Sequence, residues 1–405
     1  MKHVAIIGGG LAGLSCAFYL KRRNIPATVF EAQPRAGGRD AAALFLLAPD
    51  LFKNTFQLIR DLGLGDEILP IPPHAGQVYK ERIYHHRVAS ATGLLSFRGL
   101  GLADKAMLPR MAYLLNRYSP HLNFHHPEKG LEFDDETVAS FVKRELSQNV
   151  LNYVAGPLIS TLFFYGSEET SRWLYLVLAK HMTNTRMSTV RGGLQRVSDH
   201  LSSQLQVMKE KIESIDTDGD GCFVNGRRFS DVVVAVPGDR VLDIAGVDAY
   251  LSDDDRQFFL ECQYQRTVSV TVATKEPADR NCYAVAIPRV EGYSAATIAF
   301  HDFIDSSRVP ERRGLLTITG GGAEVNGAKL LSELQELYPI RTESTEITEW
   351  TSGTPKFPPG RYRRIHEFQQ RQRKPGLFFC GDYLLGPCVE GAVTTGLRAA
   401  NAIRV

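Results

Sequence analysis

The hydrophobic and polar positions at the start of the chain predict a strand, a helix and a second strand in close succession. Val4–Ile7 is an unbroken apolar run with β-branched members, which is typical of a strand buried on both faces of a parallel sheet. Residues 14–23 have the pattern of a helix, and residues 27–30 form the next apolar run. This order predicts a strand–helix–strand unit.

The turn between the first strand and the helix carries the spacing Gly8, Gly10 and Gly13. The first glycine permits a tight turn, the second lets the backbone approach a pyrophosphate, and the third lets helix and strand pack closely. Glu31 closes the second strand, where a carboxylate accepts hydrogen bonds from a ribose diol and is poorly suited to a 2′-phosphate. An ordinary strand-to-helix loop is the alternative. The strand, the helix and the acidic residue all stand at the offsets of a dinucleotide site, which favours that interpretation.

Gly37, Gly38 and Arg39 follow shortly after Glu31. By themselves they read most simply as a turn with a solvated arginine. Beside a dinucleotide site, they offer a cation and free backbone amides to the same pyrophosphate. This second contact favours FAD over NAD.

The rest of the chain alternates between strand and helix patterns without a repeat. Strands are predicted at residues 211–215, 222–225, 232–236, 267–272 and 377–380, and helices at 51–62, 138–146, 150–162 and from 389 to about 403. The central strands cannot bury their faces alone, so they must join the N-terminal unit. We therefore predict an α/β fold with two parts. They are a discontinuous Rossmann-like FAD-binding domain with a parallel sheet (residues 1–73, 185–245 and 346–405) and an inserted, mixed α+β substrate-binding domain (residues 74–184, mostly helical, and 246–345).

Composition narrows the classes of function. The chain has 405 residues, 43% of them hydrophobic and 23% charged, and its formal net charge of +2 gives no argument for nucleic acid as a partner. The six cysteines show no C-x-x-C spacing, so we expect no metal site and a reducing, cytoplasmic compartment. We expect no membrane span, because no apolar run reaches about 18 residues. The apolar N-terminus reads as a strand and not as a signal peptide.

Separated motifs that span nearly the whole chain agree with one family. They are the N-terminal glycine turn, Gly192-Gly193-Leu194-Gln195, residues 232–237, Trp350 with residues 355–357 and Gly360, Gly381-Asp382-Tyr383, and residues 386–392. With these motifs the chain resembles the flavin-dependent amine oxidase superfamily. Within it, the chain looks most like protoporphyrinogen oxidases and the carotenoid and squalene desaturases.

The resemblance implies a place for each motif around FAD. The glycine turn and Glu31 would hold the ADP half, Arg39 would touch the pyrophosphate, and the backbone of Ile212 would meet the adenine. Asp382 would bind near the ribityl chain and the phosphates, while amides at the start of the last helix would lie beside the flavin O2. The implied cofactor-binding residues are Gly8, Gly10, Leu11, Ala12, Gly13, Glu31, Ala32, Gly37, Gly38, Arg39, Ile212, Gly381, Asp382, Val389, Glu390 and Ala392.

Some positions depart from the family pattern. Amine-oxidising members carry a lysine where this chain has Ser269, and an aromatic residue where it has Cys388. A second aromatic residue and a flavin-tethering cysteine of some members fall near Gly353 and Ser352. These differences disfavour amine oxidation and imply that the FAD is not covalently attached.

A further departure follows Arg39. The family continues with a strand and loop before the helix predicted at residues 51–62, but here the chain passes almost at once to Asp40 and Ala41-Ala42-Ala43-Leu44. Either the segment is deleted, or the sequence omits it.

These features lead to an expected activity. Bound FAD would accept a hydride from a C–H bond of a bulky, largely apolar or cyclic small molecule, and oxygen or another acceptor would reoxidise it. No catalytic residue is assigned, because the flavin carries the redox step. The alternatives are an amine or imine oxidase, a redox-neutral flavin isomerase, and a non-catalytic binding protein resembling the GDP-dissociation inhibitors. The presence of Gly13, Arg39 and Asp382 argues against the binding protein.

Several other side chains invite functional interpretations. The histidine pairs 85–86 and 125–126 suggest a metal or acid–base site, but surface histidines explain them better. Tyr165, Trp173, Tyr175 and His181 would either line a substrate pocket or pack in the core. The aromatic run 163–165 near Trp173 also suggests an apolar entrance for peripheral membrane contact, although such runs usually pack inside.

Overall fold

The computed structural model describes residues 2–39, 45–88, 90–182, 186–217, 221–279, 281–372 and 376–404. The departure noted after Arg39 therefore lies outside the described residues, since the gap there covers residues 40–44.

The strands are, in chain order, β1 (Val4–Ile7), β2 (Ala27–Glu31), β3 (Ile68–Pro70), β4 (His74–Tyr79), β5 (Arg82–Arg87), β6 (Ser188–Val190), β7 (Gln206–Lys209), β8 (Ile215–Thr217), β9 (Cys222–Val224), β10 (Arg227–Phe229), β11 (Asp231–Val234), β12 (Tyr264–Thr274), β13 (Ala284–Ala286), β14 (Ala295–Phe300), β15 (Gly314–Gly321), β16 (Thr342–Pro355) and β17 (Leu377–Phe379). The helices are α1 (Leu11–Arg22), α2 (Lys53–Asp61), α3 (Ala91–Ser96), α4 (Leu102–Ala106), α5 (Leu108–Tyr118), α6 (Val138–Glu145), α7 (Gln148–Val150), α8 (Gly156–Phe163), α9 (Arg172–Met182), α10 (Gln195–Gln204), α11 (Asp253–Leu260), α12 (His301–Ile304), α13 (Gly327–Leu337), α14 (Arg361–Arg371) and α15 (Val389–Ala402).

A parallel sheet of the order β17-β11-β1-β2-β7 forms around the predicted N-terminal unit. Its central strand β1 is buried along its whole length, as the unbroken apolar run predicts. Helices α1 and α15 pack against each other beside this sheet. The two ends of the chain thus meet in one α/β layer, which is the predicted Rossmann-like arrangement.

One predicted strand of this region is wrong. The strand next to β2 is β7, residues 206–209, and not residues 211–215. The pairing ends at Glu31 and Lys209, after which the Glu210 amide donates to the Glu31 carbonyl and the chain leaves the sheet. Ile212 therefore stands in a connecting segment, and the next strand begins only at Ile215.

The second sheet is mixed, with the order β16-β12-β15-β14-β13-β4-β5. Alternation along β12 buries Val268, Val270 and Val272 on one face, and α13 packs on this sheet. Strands β4 and β5 belong to it, so the expectation of a mostly helical first insert holds only for the chain after β5. Strand β16 runs across the domain boundary predicted between residues 345 and 346. The division into two domains stays a prediction.

Candidate active site

The glycine turn joins β1 to α1. A Cβ on Gly13 would lie 2.0 Å from the Gly8 carbonyl oxygen, so close helix–strand packing requires glycine there. A Cβ on Gly10 would meet no atom within 4 Å, because this residue faces open space in a large cavity. Gly10 also precedes the first turn of α1, which has neither a side-chain cap nor an acidic residue. Its free amides and the empty space before them fit a pyrophosphate.

The Glu31 carboxylate is fixed beside this turn. Its Oε2 accepts from the Gly9 amide at 2.8 Å and its Oε1 accepts from the Gln33 amide at 2.7 Å. A carboxylate has about four lone-pair sites, so each oxygen keeps capacity for a ribose hydroxyl.

Arg39 connects three segments that are distant in sequence. Its Nη1 donates to the Gly353 carbonyl at 2.7 Å, and its Nη2 donates to Asp382 Oδ1 at 3.0 Å. Gly37 ties the same segment to the glycine turn, since its amide donates to the Gly9 carbonyl at 2.8 Å. The sequence motifs at residues 8–13, 37–39 and 381–382 are thus assembled into one wall.

The last helix, α15, begins at Val389 without a side-chain cap from Cys388. Its fourth residue, Ala392, lines the cavity together with Val389. Burial raises the pKa of the Cys388 thiol to about 12, which keeps it protonated. The Ser352 hydroxyl donates to Asp239 Oδ2 at 2.6 Å, so this position holds no thiol that could attach a flavin.

The Glu390 side chain points away from the cavity wall. Its carboxylate accepts from the amides of Asn54 and Thr55, at 3.1 and 2.9 Å, and thereby caps the N-terminus of α2. It also accepts from His125 Nε2 at 2.6 Å. The prediction that His125 is a surface residue is wrong, because it is buried against this carboxylate, whereas His126 is exposed.

A row of hydroxyl groups covers the cavity face of the second sheet. Ser269 shares a hydrogen bond of 3.0 Å with Thr319, and Thr271 shares one of 3.0 Å with Thr317. These residues face the cavity because the valines that alternate with them along β12 fill the core on the other side. The hydroxyl row is Thr267, Ser269, Thr271, Thr297, Thr317, Thr319 and Thr348.

Apolar side chains from helices form another part of the cavity wall. They come from α5, α8 and α9, and are Leu108, Met111, Leu115, Pro157, Leu158, Leu162, Leu178 and Met182. Tyr175 lines the cavity too, whereas Tyr165 and Trp173 are core residues with no exposed surface and His181 pairs with Asp50. Phe163 is also buried, as inside packing of the aromatic run predicts, and peripheral membrane contact stays a prediction. Within the described ranges, no helix is both long and apolar enough to cross a membrane.

All these walls enclose one cavity of about 1650 Å³. A site for a single drug-sized molecule is about 300–1,000 Å³, so this cavity has room for a dinucleotide and a second molecule. Of the cofactor residues predicted from sequence, Gly13 and Glu390 are not on the wall. Those that line it are Gly8, Gly10, Leu11, Ala12, Glu31, Ala32, Gly37, Gly38, Arg39, Ile212, Gly381, Asp382, Val389 and Ala392.

Sequence reasoning missed two polar side chains of this wall, His301 and Arg308. His301 is buried, and its Nδ1 accepts from Arg308 Nη1 at 2.6 Å. Burial and the neighbouring guanidinium lower the pKa of His301 to about 3, so the imidazole is neutral at physiological pH. The sequence signal that could have identified this site is His301 itself, a polar residue directly after the apolar run of β14.

The structure also brings together His85, Asp279 and Cys282, whose ligand-type atoms lie within 4.8 Å of one another. Asp279 Oδ2 accepts from the Tyr338 hydroxyl at 2.7 Å and is 2.8 Å from His85 Nε2. Burial and Asp279 raise the pKa of the Cys282 thiol, which disfavours the thiolate that a metal needs. The cluster is therefore a satisfied hydrogen-bond network.

Comparison with known proteins identifies the family. A family model described as flavin-containing amine oxidoreductase matches residues 46–404, and a second, for an NAD(P)-binding Rossmann-like domain, matches residues 6–42. The chain belongs to the flavin-containing amine oxidoreductase family. The cofactor of the chain is accordingly FAD, and the open phosphate site before α1 fits it.

Two curated relatives of this family member are oxidases of porphyrinogens. A coproporphyrinogen III oxidase of Bacillus subtilis is 29% identical over 52% of this chain and 50% of its own length, so the chain spans about half of that relative. The chloroplastic/mitochondrial protoporphyrinogen oxidase 2 of Arabidopsis thaliana is 26% identical over 99% of this chain and 94% of its own length.

Solved structures show the same fold at lower identity. A putative protoporphyrinogen oxidase from Exiguobacterium superposes with a TM-score of 0.75 at 16% identity, over 99% of this chain and 98% of that one. Cyclohexylamine oxidase from Brevibacterium oxydans superposes with a TM-score of 0.75 at 17% identity, over 99% of this chain and 98% of that one. The predicted α/β fold and family are confirmed.

Proposed function

We propose that the chain is an FAD-dependent oxidoreductase that removes a hydride from a C–H bond of a bulky, largely apolar or cyclic small molecule. One observation carries this proposal. The cavity of about 1650 Å³ is lined both by the residues expected to hold FAD and by apolar helix side chains. A substrate in the apolar part would be in the same enclosed space as the cofactor.

Bound FAD would supply the hydride acceptor. The chain itself would bind and orient the two molecules. The free amides at the start of α1 favour the negative charge of the phosphates, and the N-terminal end of the α15 dipole would favour negative charge on the reduced ring. The apolar side chains of α5, α8 and α9 would exclude water and hold the substrate through surface burial. No protein side chain is required as a nucleophile.

The residues facing the cavity support oxidation of a C–H bond that is not part of an amine. Ser269 lies on the cavity wall, at the position where amine-oxidising members of the family carry a lysine. Its hydroxyl shares a hydrogen bond with Thr319. Cys388 stands where amine-oxidising members carry an aromatic residue. Their second aromatic residue and the flavin-tethering cysteine of some members fall near Gly353 and Ser352. This set also supports a non-covalent FAD.

Porphyrinogens are the first compounds to test, because two curated relatives are named as oxidases of them. The FAD-loaded protein would be mixed without oxygen with a panel of porphyrinogens, polyenes and cyclic amines or imines, while the flavin absorbance is followed. We expect bleaching with a bulky apolar member of the panel and none with a simple primary amine. Rapid bleaching by the primary amine would contradict the assignment at Ser269.

The rival functions give different results in the same experiment. A redox-neutral isomerase would form product without oxygen consumption or lasting bleaching. A non-catalytic binding protein would purify without flavin.

A further inference from the structure

Arg308 differs from the other arginines that line the cavity. Arg39 is paired with Asp382, Arg240 is 3.5 Å from Asp243, and Arg87 is exposed. Arg308 is partly buried, and among the residues that the structure describes no carboxylate forms an ion pair with it. A guanidinium that has lost water without gaining a counter-ion is costly, and burial lowers the pKa of Arg308 accordingly.

The carboxylate that attracts Arg308 electrostatically, Asp305, already accepts other hydrogen bonds. Asp305 Oδ2 accepts from the Gly192 amide at 2.7 Å, and its Oδ1 accepts from the amide and hydroxyl of Ser307, at 3.1 and 2.6 Å. Asp305 therefore caps the turn that carries Arg308. It attracts the guanidinium from a distance, but within the described residues it forms no direct ion pair with it. The guanidinium lies beside Gly193, since a Cβ there would be in ordinary van der Waals contact with Arg308 Cζ at 3.5 Å.

The hydrogen bonds of His301 fix the orientation of Arg308. Arginine can only donate, so His301 Nδ1 is the acceptor of the 2.6 Å bond and the ring proton lies on Nε2. That proton is donated to Thr317 Oγ1 at 2.8 Å, and the Thr317 hydroxyl can then donate to Thr271 at 3.0 Å. His301 thus holds one N–H of a five-donor fork and leaves the others for a ligand.

We propose that Arg308 is the anchor for a substrate carboxylate, and that His301 is its positioning residue. The substrate class is then an apolar or cyclic molecule that carries at least one carboxylate. A carboxylate matches the planar fork of arginine with two parallel hydrogen bonds. The apolar wall from α5, α8 and α9 would bind the rest of the molecule. This inference rests on the proposed function, because it assigns the substrate of the same cavity.

The test compares one apolar acid with its neutral amide. Binding of 4-phenylbutanoate and 4-phenylbutanamide to the FAD-loaded protein is measured by isothermal titration calorimetry. We expect the acid to bind about tenfold or more tightly than the amide, since hydrogen bonds to charged groups exceed neutral ones by that order. Arg308→Gln removes this preference and leaves the affinity for the amide within about twofold. Arg308→Lys restores part of the preference.

Arg240→Gln is the matched control, because it removes another arginine from the same wall. It should keep the preference for the acid. Equal binding of acid and amide by the wild-type protein, or no binding of either, overturns the proposal. The proposal is also overturned if Arg308→Gln lowers the affinity for acid and amide equally, since Arg308 then has a structural role. Loss of FAD from this variant overturns it too, since Arg308 then has a role in cofactor binding. If only neutral compounds reduce the flavin, Arg308 does not anchor a substrate carboxylate, but the proposed oxidoreductase function is retained.

Discussion

At the scale of single residues, two glycines of the turn before α1 meet different requirements. Gly13 is required because a Cβ there would meet the Gly8 carbonyl oxygen, whereas Gly10 keeps the space before α1 open. Their spacing predicts the turn. His125 gave no such signal, because its partner Glu390 is 265 residues away. His301 was missed for the same reason, since it meets Thr317 only when β14 and β15 pair, and Arg308 is held in turn by His301.

The two glycines can be separated experimentally. Gly10→Val places its side chain in open space, with a backbone of φ −71° and ψ 175° that valine accepts. We expect the affinity for FAD to fall about tenfold or more, while the free energy of unfolding of the FAD-free protein changes by less than about 1 kcal/mol. Flavin fluorescence titration and urea unfolding measure the two quantities.

Gly13→Val is the comparison, because its Cβ would lie 2.0 Å from the Gly8 carbonyl oxygen. We expect it to lower the free energy of unfolding by about 3 kcal/mol. If Gly10→Val destabilises the FAD-free protein as much, the open space at Gly10 is not a ligand site.

The low pKa of His301 predicts a pH dependence of stability. The native imidazole titrates at about 3 and the unfolded one at about 6.5, so below pH 6.5 the unfolded state binds a proton that the native state does not. The stability from His301 is complete above pH 6.5 and is lost as the pH falls towards 3. Between pH 7 and 4.5 we expect wild type to lose about 2–3 kcal/mol more than His301→Asn. Equal losses in urea unfolding would show that His301 is not buried as a neutral group.

At the scale of elements, the strongly periodic segments were predicted correctly. β1, β12 and α15 appear at or near their predicted positions, because each buries a continuous apolar face. The strand β7 was misplaced because its residues are only partly buried and its register is fixed by β2. Edge positions of this kind carry little periodic signal of their own.

The cap of α2 tests how elements are held together. Phe52 provides no side-chain cap, and Glu390 from α15 accepts from Asn54 and Thr55 in its place. We expect Glu390→Gln to lower the free energy of unfolding by about 3 kcal/mol, because buried charged hydrogen bonds are lost.

Urea denaturation at neutral pH measures this effect. Glu276→Gln, at an exposed glutamate, should change the free energy of unfolding by less than about 0.5 kcal/mol. Similar losses for the two variants would refute the capping role of Glu390.

At the scale of the whole molecule, the site is assembled from segments spread over the chain. The wall expected to hold FAD combines residues near 8–13, 31, 37–39, 212 and 381–392, and the motifs of each could be read in sequence. The apolar wall could not, because α5, α8 and α9 look like ordinary amphipathic helices until they enclose a cavity. The cofactor was therefore predictable, and the space beside it was not.

The central claim is that this cavity holds FAD together with a substrate. The most direct measurement is the flavin content of the purified 405-residue chain, by absorbance before and after denaturation. We predict one FAD per chain that is released intact on denaturation, because Ser352 stands where some family members carry the tethering cysteine. A chain that folds, purifies without flavin and fails to quench the fluorescence of added FAD would contradict the account.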